Sequence, residues 1–202
     1  MIPAASSFPA VVLVGRGRLG RALSLSPAVS DRLAAHLAGR EALARPAAVG
    51  DAVGRAGDGP LLLLAVRDGA IARLAESVAS SLGTAPPRSA ALHFAGALGL
   101  DVLSPLSRIG FATGSCHPLQ TLAGGDADAA RLHGAFFAVD GETEGRRAAE
   151  ELARSLGGHP IEVPGSGRAL YHAAASLSAN GLTALVGAGR DALAAAALDA
   201  GT

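Results

Sequence analysis

The chain has 202 residues, half of them apolar and only 17% charged, enough for one ordinary domain with or without a small appendage and incompatible with a disordered chain. Seventeen basic residues balance seventeen acidic ones, so no global field is available to hold nucleic acid or an anionic membrane surface. Every basic residue is an arginine, which excludes lysine chemistry, and the single cysteine, Cys116, excludes an internal disulfide or a cysteine metal cluster.

Cysteine usage fits a reducing cytoplasm. The opening run MIPAASSFPAVVLVG has no basic leader, and its apolar part flows straight into a glycine loop. The apolar run 61–66 is too short to span a bilayer, so the expectation is a soluble, cytoplasmic protein.

The first strand signal covers 10–15 and runs into Gly15-Arg16-Gly17-Arg18-Leu19-Gly20. In a strand, glycine loop and helix of this kind, the first glycine makes the tight turn and the second admits a pyrophosphate to the backbone. The third lets the helix pack on the strand, and the helix N-terminus offers unpaired N–H groups to the phosphates. The pattern therefore predicts a pyrophosphate cradle for a nicotinamide dinucleotide, NAD or NADP, with Gly15, Arg16, Gly17, Arg18, Leu19 and Gly20 as its contacts. The alternatives are a plain strand-turn-helix loop and two solvated arginines.

Ser26-Pro27 next opens a helix over 27–38, with Val29, Leu33 and Leu37 repeating every four residues. No second strand is visible between Gly20 and Leu61. By counting, Arg40 or Glu41 falls where a complete unit reads the ribose, which leaves NAD and NADP both open. The run LLLLAV at 61–66 is apolar throughout, as in a strand buried on both faces, and it places Val66 beside the cofactor. Asp68 is placed to cap a helix carrying Ile71, Leu74, Ala75 and Val78.

Further strand signals lie at 89–94, 110–114, 135–140 and 160–163, with an amphipathic helix at 142–156 stopped by Gly157-Gly158. The alternation predicts an α/β fold: a Rossmann-like, doubly wound, mostly parallel sheet. After Pro164 only helix signals remain, from Arg168 to about Gly189 and over 191–200. The expected organisation is a dinucleotide-binding domain at 1–164 and an all-helical segment at 165–202, a partial C-terminal or dimerisation domain.

Four segments taken in order carry a family resemblance: VVLVGRGRLGRAL, LLLLAVRDGAIARLA, LHFAGALGLDVLSPL followed by GSCHPLQTLAG, and RALYHAAASLSANGLTAL. The chain resembles the Rossmann-like domain-of-unknown-function family 2520, often described as NADP-dependent oxidoreductases and related to pyrroline-5-carboxylate reductases and β-hydroxyacid dehydrogenases. The resemblance implies a nucleotide-binding domain followed by a helical domain that commonly makes a dimer, with the active site in the cleft between them. It implies NADP slightly ahead of NAD, and no particular substrate. Against the family pattern, the stretch after Gly20 looks short of a helix end and a strand. Ala95 stands where a polar residue is usual, and the chain ends at Thr202, where relatives continue.

His117 follows a strand signal at the sheet edge where such folds place ligands, and an imidazole with a pKa near neutrality can serve there as a general acid. The alternative is a histidine that orients a loop. Gln120 is a candidate substrate or nicotinamide contact, and Gly96 a further substrate contact. His172, Ser176 and Asn180, spaced by four, fall on one stripe of an apolar helix and predict a wetted face lining a cleft. In the related dehydrogenases a catalytic lysine sits on the corresponding helix, and counting from Gly165-Ser166-Gly167 puts Tyr171 there, beside His172. The remaining histidines, His36, His93, His133 and His159, are assigned to solvent, strand or loop positions.

The expected function is an NAD(P)-dependent reductase or dehydrogenase acting on a small carbonyl or imine, with His117, His172 and Tyr171 as the catalytic residues and Gln120, Ser176, Asn180 and Gly96 toward the substrate. The alternative is a non-catalytic nucleotide-binding, regulatory or assembly protein on a degenerate dehydrogenase scaffold. The expected partners are the dinucleotide, a small substrate and a second copy of the chain, with no nucleic acid, membrane or metal. An Ala/Leu helix with few partners in its own chain is what predicts the homodimer.

Overall fold

A computed structural model describes residues 8–196. The strands are β1 (Val11–Val14), β2 (Leu33–Leu37), β3 (Leu61–Leu64), β4 (Ala90–His93), β5 (Ala112–Pro118), β6 (Phe136–Gly141) and β7 (His159–Glu162). They form a single sheet in the order β2-β1-β3-β4-β5-β6-β7. The first five run parallel, β6 turns back antiparallel to β5, and β7 pairs parallel with β6. The α/β, doubly wound, mostly parallel architecture read from the sequence is the one observed.

The helices are α1 (Arg18–Leu25), α2 (Pro27–Ser30), α3 (Gly39–Ala44), α4 (Pro46–Arg55), α5 (Asp68–Leu82), α6 (Ser104–Arg108), α7 (Asp128–Arg131), α8 (Thr143–Ser155), α9 (Arg168–Ser176) and α10 (Leu182–Ala195). Side chains alternate across the sheet, so each strand feeds two cores. Val11, Leu13, Leu61, Leu63 and Leu92 pack with Leu23 of α1 and Leu152 of α8. Val12, Val14, Leu62 and Leu64 pack on the other face with Val49 and Val53 of α4 and Ile71, Leu74 and Val78 of α5. Every residue of β1, β3 and β4 is buried, which is why β1 and β3 read as continuously apolar and β4 does so up to His93.

The stretch after the glycine loop departs from expectation. The helix expected over 27–38 is only the one-turn α2, and Leu33–Leu37 is a strand pairing parallel with β1. The spacing of Leu33 and Leu37 suits either structure, and here the unpaired edge of β1 decides: Val11 N–H donates to the Arg32 carbonyl and Gly15 N–H to that of Leu37. Arg32 enforces the break, donating to the carbonyls of Ala28 and Phe8. As an edge strand, β2 is only partly covered and needs no β-branched run.

Smaller differences follow the same logic. Asp68 is the first residue of α5 rather than its cap, the capping position being Arg67, and no side chain caps the helix. The strand expected at 110–114 begins at Ala112 and continues to Pro118, because antiparallel pairing with β6 supports the extra residues. The last helices are one rod: α9 passes through a π-helical turn, Leu177–Gly181, into α10. It runs through the expected break near Gly189, and the end of the expected 191–200 helix lies outside the described residues. Leu170, Leu177, Leu182, Leu185, Val186 and Leu193 on this rod are 48–79% exposed.

Candidate functional site

The carboxyl ends of β1, β3 and β4 open onto one edge of the sheet, where ligands bind in doubly wound folds. The three loop glycines answer to different constraints there. Gly15 has φ +123°, and a Cβ on it would stand 2.0 Å from the Ala65 carbonyl oxygen; one on Gly20 would stand 2.0 Å from that of Gly15. Both are required by the protein's own packing. Gly17 has φ −70°, open to any residue, and a Cβ there would meet nothing within 4 Å. Gly17 is also the N-cap of α1, and no side chain caps that helix.

Two clefts meet at Gly17. The first, of about 470 Å³, lies between the glycine loop, the end of β2 and the Ala65–Arg67 turn, and Arg16, Arg40 and Arg67 line it with Gly39 and Val66. Arg16 Nη2 donates to the His36 carbonyl at 2.8 Å and His36 Nε2–H to the Gly15 carbonyl at 2.8 Å, so β2 and the glycine loop are tied together. His36, read as a position without function, thus braces the loop. The second cleft runs from Gly17, Arg18 and Leu19 past Val66 and Phe94 to His117, Gln120, His172 and Asn180. Arg18 does not reach out into it freely: its Nη1 donates to the Leu122 carbonyl at 3.0 Å and draws the segment after β5 over α1. Arg21 pairs with Asp126 in the same segment, and buried Asp128 accepts from the Ala123 and Gly124 N–H groups.

The second cleft opens into a third, of about 540 Å³, walled by Gln120 and Thr121 on one side and by Tyr171, His172, Ser176, Ser178 and Asn180 on the other, with His117 at its base. The sequence-predicted stripe of His172, Ser176 and Asn180 does share one wall; Thr121 and Ser178, not singled out, complete it. The π turn carries Ser178 and Asn180, and such turns often re-aim side chains at functional sites.

His117 sits in β5 rather than after it, opposite Ala138 of β6. Its Nδ1 lies 3.3 Å from the Tyr171 hydroxyl, and its ring meets those of Tyr171 and His172 edge-on at centroid distances of 5.8 and 5.6 Å. Burial, then His172 and Arg168, push its pKa down to about 4. At neutral pH His117 is therefore an uncharged imidazole, not the near-neutral-pKa acid its residue type suggests. Burial raises the Tyr171 pKa, so its hydroxyl stays protonated.

Gly96 is placed differently from expectation. A Cβ there would stand 2.3 Å from His172 Nδ1 and 2.9 Å from His117 Nε2, so the residue is the seat on which both imidazoles rest and not a wall of the cleft. The Ala95 methyl is buried in the core with Leu103 and Phe111, so a polar group lost at this position costs the cleft nothing. Two residues that sequence reasoning passed over stand beneath the seat. His93, fully buried at the end of β4, is pushed to about 4 by burial and by Arg168. Arg168 is fully buried, donating to the carbonyls of Ala95 and Val163. Burial also raises the pKa of Cys116, whose thiol donates to the Ala149 carbonyl, which leaves it no nucleophilic character.

Among the described residues no cluster of His, Cys, Asp and Glu is arranged to hold a metal, and no helix is long and apolar enough to cross a membrane.

No curated protein matches the chain. Solved structures do. A Thermotoga maritima protein is 16% identical, with a TM-score of 0.63 over 94% of this chain and 71% of its own. Plasmodium falciparum pyrroline carboxylate reductase, solved with NADP bound, is 11% identical, with a TM-score of 0.60 over 96% of this chain and 72% of its own. The 3-hydroxyisobutyrate dehydrogenase of Mycobacterium tuberculosis is 18% identical, with a TM-score of 0.57 over 81% of this chain and 58% of its own. These likenesses concern the fold alone. The chain thus has a Rossmann-like fold, and its residues 135–202 match the family described as a domain of unknown function, DUF2520.

Proposed function

We propose that this protein is an NADP-dependent reductase or dehydrogenase acting on a small carbonyl or imine. The observation that carries the reading is Gly17: unlike Gly15 and Gly20, it answers to no neighbour among the described residues, and it lies where the two clefts meet at the uncapped N-terminus of α1. Room for a close approach by a pyrophosphate explains a glycine there. The arginine-lined cleft would then take the adenosine end. Arg16, Arg40 and Arg67 with no carboxylate among its lining residues favour the 2′-phosphate of NADP over the free ribose hydroxyls of NAD.

The second cleft, with Val66, Phe94 and Gln120 among its lining residues, would hold the nicotinamide, whose chemistry there would be hydride transfer. The chain's own residues handle the rest. Gln120 and Asn180, which line both the second and third clefts, are placed to orient the carboxamide or the substrate. His117 and Tyr171 hold exchangeable protons side by side, and a neutral imidazole can accept at one nitrogen while it donates at the other. The pair can therefore pass a proton to or from the substrate oxygen or nitrogen without an imidazolium at rest.

Two features that spoke for a non-catalytic scaffold no longer do. The second strand is present, and Ala95 faces the core. The exposed leucines of the helical rod favour a dimer in which a second copy covers them. The primary test is titration of the full chain with NADPH and NADH, followed by nicotinamide fluorescence. Saturable NADPH binding, tighter than NADH, is expected; no binding of either at millimolar concentration refutes the reading.

A further inference from the structure

Among the described residues Arg168 is the bulkiest fully buried side chain. It opens α9 directly after the Gly165–Gly167 turn, a place where an arginine would ordinarily point to water. Instead its Nη2 donates to the Ala95 carbonyl at 3.1 Å and its Nη1 to the Val163 carbonyl at 3.4 Å, while Nε bonds nothing among the described residues. The countercharge acting on it is Asp140 of β6, which forms no ion pair with it among the described residues. Burying a guanidinium on two neutral carbonyls is a costly way to join two strand ends. The cost calls for a function that needs the charge.

The Ala95 carbonyl belongs to the peptide that Gly96 completes, and Gly96 is the seat of His117 and His172. We propose that Arg168 is the positioning residue of this cleft: its guanidinium ties the Ala95–Gly96 peptide to the end of β7, seats both imidazoles, and keeps a fixed positive charge behind them. The groups that face His117 are His172, Tyr171 and Arg168 from α9 and His93 from β4, and Asp140 faces Arg168 from β6. None of those facing His117 is an anion at neutral pH; His93 also faces the Asp101 carboxylate and the backbone at Gly99, which favour its protonated form, and the fixed cation opposes protonation of both buried histidines. It acts on His93 as the foremost charge and on His117 behind His172. A neutral His117 is what the two-way proton transfer proposed above requires, and this inference rests on that reading of the cleft.

The test is imidazole titration by NMR on the full chain without cofactor, so that its outcome is independent of whether NADPH binds. R168M and R168K are close in size, and only the second keeps the charge. The expected result is that R168M raises the titration midpoints of both His93 and His117, His93 the further, while R168K leaves both low. Should R168M not fold, R168Q replaces it, since it is neutral and retains a donor for the Ala95 carbonyl. The proposal is overturned if the neutral and charged variants titrate alike, or if neither midpoint moves. It is equally overturned if no neutral variant folds whereas R168K does, because the charge would then serve the fold rather than the site.

Discussion

Replacing Gly17 by alanine separates a ligand-made constraint from a protein-made one. At φ −70° and ψ −174°, with nothing within 4 Å of the added methyl, the native conformation suits alanine without strain. The unfolded chain loses conformational freedom, which favours the variant by about 0.4–1 kcal/mol, while alanine is a poorer N-cap of α1 than glycine by a similar amount, so the melting temperature should stay within about 4 °C of the parent's. The same methyl would intrude where a phosphate must close on the N–H groups of α1. Losing one charge-assisted hydrogen bond, at about 1.5–3 kcal/mol, should weaken NADPH between about tenfold and about 150-fold. Gly15→Ala and Gly20→Ala are the controls: each drives a Cβ to 2.0 Å from a carbonyl oxygen and should lower the melting temperature sharply. The assay is a thermal melt of each variant beside a fluorescence titration with NADPH. A Gly17→Ala protein that binds NADPH as the parent does, or one as unstable as the controls, refutes the assignment of Gly17 to the ligand.

If the cleft that Arg40 lines takes the 2′-phosphate as proposed, Arg40→Ala should cut NADPH affinity about tenfold or more while leaving NADH affinity within a factor of two; equal losses for both cofactors would count against that proposal. His117→Asn should lower turnover about 10²- to 10⁴-fold with unchanged NADPH affinity, measured by steady-state kinetics beside the binding titration. Acid should destabilise the fold in a defined window. The pKa values of His93 and His117 lie near 4 in the folded protein, below the ordinary 6.5, so the unfolded chain binds more protons between these limits. Stability is then full above about pH 6.5 and falls as pH drops toward 4, by at most about 3 kcal/mol for each histidine, and urea melts of a His93→Gln variant should show a shallower decline. Leu185→Arg should shift the chain toward monomer in sedimentation velocity, and a monodisperse monomeric parent would refute the dimer.

The central strands were legible in the sequence because they are buried on both faces. LLLLAV has no polar position to misplace, and its partners in β1 and β4 are apolar except for His93. The same reasoning fails for β2, which is half covered and spends its two leucines at a spacing that a helix shares. What makes it a strand is the row of backbone groups on β1 that would otherwise go unpaired, a demand written in another part of the chain. Its recovery matters beyond bookkeeping, since Gly39 and Arg40 follow directly from its end and complete the cleft that the glycine loop only half encloses.

The candidate site divides along the same line. Its adenosine half depends on local geometry: a glycine at a tight turn, another where helix meets strand, and one between them that the protein does not need. Such constraints act over a few residues and leave a spacing behind. The proton-handling half is made by contacts between residues more than fifty positions apart, His117 with Tyr171 and Ala95 with Arg168. His93 offered a signal, a histidine inside an otherwise apolar strand, but nothing in the sequence distinguishes Arg168 from a solvated arginine at a helix start. Only burial makes that distinction, and burial also reverses the reading of His117. The residue type predicts an imidazole that is charged part of the time, whereas burial, His172 and then Arg168 keep it neutral, so in the proposed reaction a proton would be passed along from Tyr171 or solvent instead of being stored on the ring.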